Sequence, residues 1–112
     1  MAKVVITESL KEGIFRKFKN ESLEIFMLMK SLEHSPSKGK ALGNVAGVVI
    51  KELKYKKFRF YFITDGHVLK FGTDDELAGL LIKFVRISDK KDQLKVITEI
   101  KNIIASMGFD SF

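Results

Sequence analysis

The chain has 112 residues, the size of one domain, and 46% of them are hydrophobic, enough to bury a core. It has no cysteine, which excludes a disulfide framework and any cysteine-ligated zinc site. The net charge of +6 is unevenly placed: residues 36–63 hold seven Lys or Arg against a single acid, Glu52, while the flanking segments are close to balanced. Such a block favours an anionic partner at one patch. The alternative is a lysine-coated sheet edge that only discourages aggregation.

The opening MAKVVITESLKEG carries charges too early and too often for a signal peptide. The longest apolar runs are broken by Lys, Glu or Arg, so no membrane span is expected. A soluble cytoplasmic protein with one domain over residues 1–112 is the expectation.

In chain order, KVVIT (3–7) predicts a first strand. Ser9 and Glu12 have the spacing of a capping box, with Leu10, Ile14, Phe15 and Phe18 on the helical face that follows. Asn20 is placed to cap a second helical segment carrying Leu23, Phe26 and Met27, widened by Ile25, Leu28, Met29 and Leu32. A helical hairpin or one kinked helix over 9–34 fits. SPSKGKALGN (35–44) reads as a loop, with the only proline.

The period then changes from helical to alternating. VAGVVIKEL and KKFRFYFIT read as two strands joined through Lys54-Tyr55-Lys56. Asp65-Gly66 is a hairpin-turn signal, which makes HVLKFG a third strand. Thr73 to Glu76 reads as a capping box for a short helical turn, and LLIKFVRI (80–87) as a fourth strand. Leu94, Ile97, Ile100, Ile104 and Met107 recur at helical spacing, with Gly108 at the stop and a loose tail over 107–112. The expected class is α+β: a small antiparallel sheet of about four strands, an N-terminal helical hairpin and a C-terminal helix, the helices covering one face.

Parity divides the central hairpin. Phe58, Phe60 and Phe62 share one face of their strand, and Lys57, Arg59, Tyr61 and Ile63 share the other. The phenylalanines suit the core. The second face presents a basic and aromatic row, beside which either Lys51 or Lys54 falls, depending on register. Arg86, Lys90 and Lys91 close the last strand and extend the cluster. Positive charge interleaved with rings suits RNA, whose phosphates take the charge and whose unpaired bases stack.

Lys54-Tyr55-Lys56-Lys57-Phe58-Arg59-Phe60-Tyr61-Phe62, after the Pro/Gly loop and before Arg86, resembles the strand motif of the RelE/ParE superfamily of type II toxins. The resemblance covers about residues 22–100, and the element order agrees with it. It implies a RelE/ParE-like fold and a ribosome-dependent mRNA endoribonuclease that works without a metal or other cofactor. It also implies three partners: a cognate antitoxin, the ribosome and mRNA. Arg59 and Arg86 match recurrent family arginines and would stabilise charge on the phosphate, with Lys54 as the third catalytic candidate. Lys51, Lys57, Tyr61, Lys90 and Lys91 would hold RNA. Departures are the turn glycine replaced by Lys56, the GTDDELAG insertion, and a region after Arg86, ISDKKDQLKVITEIK, with no Tyr, His or Glu near the place of the family's acid. Two other readings stay open: a ParE-like toxin acting on a protein such as gyrase, and a simple RNA-binding module.

His34 reads as a helix-end residue, His67 as an exposed turn residue, and Asp74-Asp75-Glu76 as helix N-terminal charge rather than a metal site. Met27 and Met29 read as core. Phe15 and Phe18 mark a place for an antitoxin to dock.

Overall fold

The alternation of Phe58 to Phe62 decides the architecture. A computed structural model describes all 112 residues. In it strand β4 (Phe58–Asp65) is central and covered on both faces. Strand β1 (Lys3–Ile6) leads into helices α1 (Glu8–Phe18) and α2 (Ser22–Lys30), separated by a short 3-10 turn. Strands β2 (Lys40–Val45), β3 (Val48–Tyr55) and β4 follow as a meander. Two short helices, α3 (Gly66–Phe71) and α4 (Asp74–Ala78), precede β5 (Leu81–Asp89) and helix α5 (Gln93–Met107).

The sheet has five strands in the order β1-β5-β4-β3-β2. β1 runs parallel to β5, and the other pairs are antiparallel. The fold is therefore α+β with a mixed sheet, one strand larger than expected and not purely antiparallel. The helices also divide. α1 and α2 pack Leu10, Ile14, Phe18, Ile25 and Met29 onto Phe60, Phe62 and Phe84. α5 packs Ile97, Ile100 and Ile104 onto Ile50, Tyr61, Ile63 and Val85 on the opposite face. Two cores on two sides replace the expected open face.

Several local expectations change for identifiable reasons. α1 starts at Glu8 with Thr7 as its N-cap, because the Thr7 N–H still bonds the Phe84 carbonyl at 3.1 Å and so ends β1 there. Ser9 therefore lies inside the helix, and no capping box forms. Lys19 at φ 48° breaks the helical stretch, and Asn20 sits in the 3-10 turn rather than capping α2. Strand β2 takes Lys40 to Asn44 from the segment read as loop and Val45 from the VAGVVIKEL segment read as strand, whose Ala46-Gly47 is instead the turn to β3. Both residues have positive φ, 51° and 83°, as a two-residue type I′ turn requires. The β3–β4 turn is Lys56-Lys57, with Tyr55 opposite Phe58. Asp65 caps α3, accepting from the His67 and Val68 N–H groups, both at 3.0 Å, so HVLKFG is helical and not a strand. The Thr73–Glu76 capping box forms as expected.

Met29 is core, but Met27 is 65% exposed. Phe18 is buried, whereas Phe15 is open. The C-terminal tail is not loose: Phe109 and Phe112 pack onto the α5-side core. No helix is long and apolar enough to cross a membrane.

Ala46 holds a left-handed conformation that costs an L-residue roughly 1–2 kcal/mol. Ala46→Gly is expected to raise stability by about 1 kcal/mol in urea or thermal melts. A fall would show that the turn is not strained at this residue.

Candidate nucleic-acid interface

Register settles which lysine meets Arg59. Lys54 is its cross-strand partner, and Ser88 faces it from β5. Lys51 belongs to the other face, opposite Phe62. There it is buried under the 35–39 loop, with its Nζ donating to the Ser37 carbonyl at 2.8 Å. Gly39 lets that loop come down: at φ 100°, an added Cβ would stand 2.9 Å from both the Glu52 carbonyl and the Phe62 ring. Burial lowers the Lys51 pKa from its ordinary value. Lys51 and Arg59 cannot face one bound phosphate.

Arg59 is not a free cation. Its Nε lies 3.6 Å from Oε2 of Glu52, and the two side chains are only 12% and 8% exposed. Gln93, in the first turn of α5, reaches the same Glu52 oxygen at 3.5 Å. The one acid of the basic segment thus neutralises its arginine. Tyr61, expected as a stacking ring, has no exposed surface. Its hydroxyl meets Ser88 Oγ at 2.7 Å, and Ser88 Oγ donates to the Asp89 carbonyl at 2.9 Å.

Arg86 comes to the same face through a bulge in β5, where the pairing shifts so that Tyr61 faces Arg86 and Phe62 faces Phe84. Its Nε bonds Glu99 at 3.0 Å and its Nη1 bonds the Val85 carbonyl at 2.8 Å. The guanidinium also lies 5.2 Å from the centre of the Phe112 ring. Glu99, on α5, is a carboxylate beside Arg86 that linear spacing did not bring into view.

What remains exposed is lysine. Lys54 and Lys57 are open at the hairpin end. Lys90 and Lys91 are open in the turn after Asp89, which faces Phe58. Lys56 is committed to Glu21 of the 3-10 turn, and this pairing raises the lysine pKa and lowers that of the carboxylate. The sheet end with the β3–β4 turn therefore carries four lysines outside any salt bridge, with Arg59 held just behind them.

Magnitudes rank the arginines. The Arg86–Glu99 pair is partly exposed, and such pairs contribute about 0–1 kcal/mol, so a phosphate can compete for Arg86. The Arg59–Glu52 pair is buried, and removing one partner of such a pair costs roughly 3–5 kcal/mol. Arg59 is the harder of the two to redirect.

The histidines lie elsewhere. His34 is exposed just after the helical segment. His67 sits in α3 beyond the far end of β4, about 20 Å along the strand from Arg59. It lines a cleft of about 570 Å³ with Asp65, Glu76 and Phe109. No three His, Cys, Asp or Glu residues are grouped so that they could hold a metal ion. No protein-family model, curated protein or solved structure matches the chain.

Two predictions follow from burial. Arg59→Ala leaves Glu52 buried without its cation and is expected to destabilise the fold by about 3 kcal/mol, against at most about 0.5 kcal/mol for Lys54→Ala, by urea denaturation. Equal, small effects would show that the ion pair is dispensable. Burial also raises the pKa of both tyrosines, Tyr55 and Tyr61, above the ordinary 10.0. Phenolate absorbance should then show no step at that pH. A raised folded-state pKa means stability is held below the unfolded value and lost as pH rises through the folded one. Tyr61→Phe should reduce that alkaline loss.

Proposed function

We propose that the protein is an RNA-directed toxin of the RelE/ParE type. On this reading it is a metal-independent endoribonuclease that cuts mRNA on the ribosome and is restrained by a cognate antitoxin. The observation that carries the reading is the Lys54–Arg59 cross-strand pair, with Arg86 diagonal to it on the same face. Directly opposed side chains start about 5 Å apart, close enough for both to meet one phosphate. The ribose 2′-hydroxyl gives its proton to solvent and attacks the adjacent phosphate; the P–O5′ bond breaks, leaving a 2′,3′-cyclic phosphate and a 5′-oxygen that takes a proton from solvent, while Lys54 and Arg59 take the charge that builds on the phosphate. Lys57, Lys90 and Lys91 hold the backbone on either side. Phe15, Leu23 and Met27 offer exposed apolar surface on α1 and α2 for the antitoxin.

A second reading is binding without cleavage, whether to RNA or to a protein target such as gyrase. The Glu52–Arg59 pair and the buried Tyr61 favour it, because both withdraw chemistry from the surface.

Induced expression separates these readings. The nuclease reading expects growth arrest with new message 5′ ends. Both should disappear in the Glu52→Gln/Arg59→Gln double variant, which removes the charge from the pair while leaving two groups able to hydrogen-bond. Arrest with unchanged 5′ ends supports binding without cleavage, and no arrest overturns both toxin readings. In vitro, Lys54→Ala should weaken single-stranded RNA binding and lower the slope of log K against log salt by about 0.7.

A further inference from the structure

Phe58 neighbours Arg59 in sequence but points to the opposite face, at the start of β4 and half-exposed. One side of its ring is anchored. Phe18 meets it edge-on at 5.0 Å and 88°, and Tyr55 faces it across the hairpin. Two ammonium groups approach the same ring: Lys17 Nζ from α1 at 4.6 Å and Lys57 Nζ from the turn at 5.7 Å. No other ring has two cations over it, and neither lysine is in a salt bridge.

A part-exposed ring fixed by packing, with two ammonium groups over it that are in no salt bridge, matches the needs of an unpaired nucleobase. The base stacks on the ring, and its flanking phosphates take the cations. We propose that Phe58, Lys17 and Lys57 form a base-stacking subsite for single-stranded RNA. The inference rests on the RNA reading above and adds a contact on the other face of the sheet. The strand would pass around the hairpin end, its backbone on Lys54 and Arg59 and one base on Phe58. Lys17 is exposed, so its side chain is free to leave the ring for a phosphate when a base stacks there. A duplex keeps its bases stacked inside and cannot supply this contact.

The chain has no tryptophan, so Phe58→Trp places a single fluorophore at the subsite. Binding of an oligoadenylate of about 8 nucleotides is followed in parallel by anisotropy of a labelled strand. The emission of the Phe58→Trp variant is expected to be quenched along the same saturation curve. A tryptophan placed by Phe71→Trp, at an exposed position on α3, should not respond. Phe58→Leu should weaken binding about tenfold. Lys17→Glu, on an exposed helix surface, tests the subsite without touching the core. It should cost more affinity than the charge-matched Lys70→Glu. If anisotropy shows binding while the tryptophan at 58 stays unquenched, or if Lys17→Glu and Lys70→Glu act equally, the subsite is overturned and the RNA reading stands. If the unmodified protein binds no oligoadenylate at low salt, the RNA reading itself fails, and the subsite falls with it.

Discussion

Strand β4 has a helical layer on each face, and this constraint organises the rest of the molecule. A strand covered twice has no solvent side on which to leave a polar group. Its phenylalanines meet α1 and α2, while Tyr61 and Ile63 meet α5. The three polar side chains it carries into the covered region, Arg59, Tyr61 and Thr64, each require a partner. Glu52, Ser88 and the Leu81 carbonyl supply them from the neighbouring strands. The bulge at Val85 is part of the same arrangement, since it brings an extra apolar side chain into the α5 core and turns Arg86 toward Glu99.

The same constraint explains where positive charge can act. Charge in the middle of β3 and β4 is either buried, as at Lys51, or paired, as at Arg59. Among the lysines near this pair, Lys54, Lys57, Lys90 and Lys91 are exposed and in no salt bridge, at the sheet end that carries the β3–β4 turn. An anionic polymer would first meet Lys54, Lys57, Lys90 and Lys91 and only then Arg59. Encounter and chemistry would thus fall to different residues, the first screened by salt and the second governed by a buried pair.

Much of this could be read from residues whose local chemistry has one solution. The Phe58–Phe60–Phe62 parity, the Thr73–Glu76 box and the helical spacing from Leu94 to Met107 each point to one structure, and each forms, although Ile97, Ile100 and Ile104 are buried while Leu94 and Met107, at the helix ends, are exposed. Asp65-Gly66 was ambiguous, because aspartate before glycine serves a tight turn or a helix N-cap, and the helix won through two backbone hydrogen bonds. β2 was hidden because Lys40, Gly43 and Asn44 are poor strand formers, and its place is set by pairing with β3 and by Leu42 and Val45 packing on the α5-side core. The largest miss concerns the face opposite the phenylalanines. Parity separates two faces but does not say what covers the second one. That depends on where α5 packs, and strand order is a long-range property that local pattern does not encode. The Arg59–Glu52 pair lay beyond reach for the same reason, since it exists only once the β3–β4 register is known.

The parallel pairing of β1 with β5 has a consequence for synthesis. Lys3 faces Leu81, 78 positions later, so the first strand made is the last to find its partner. The meander of β2, β3 and β4 can close locally and early, through two-residue turns. Until β5 leaves the ribosome, β1 has no strand to pair with and the flank of β4 is bare. From the completion of β4 at Asp65 to that of β5 at Asp89, the nascent chain would therefore carry an open sheet edge beside the apolar side chains of α1 and α2. Its safety in that interval depends on the speed of elongation and on chaperones rather than on the finished fold.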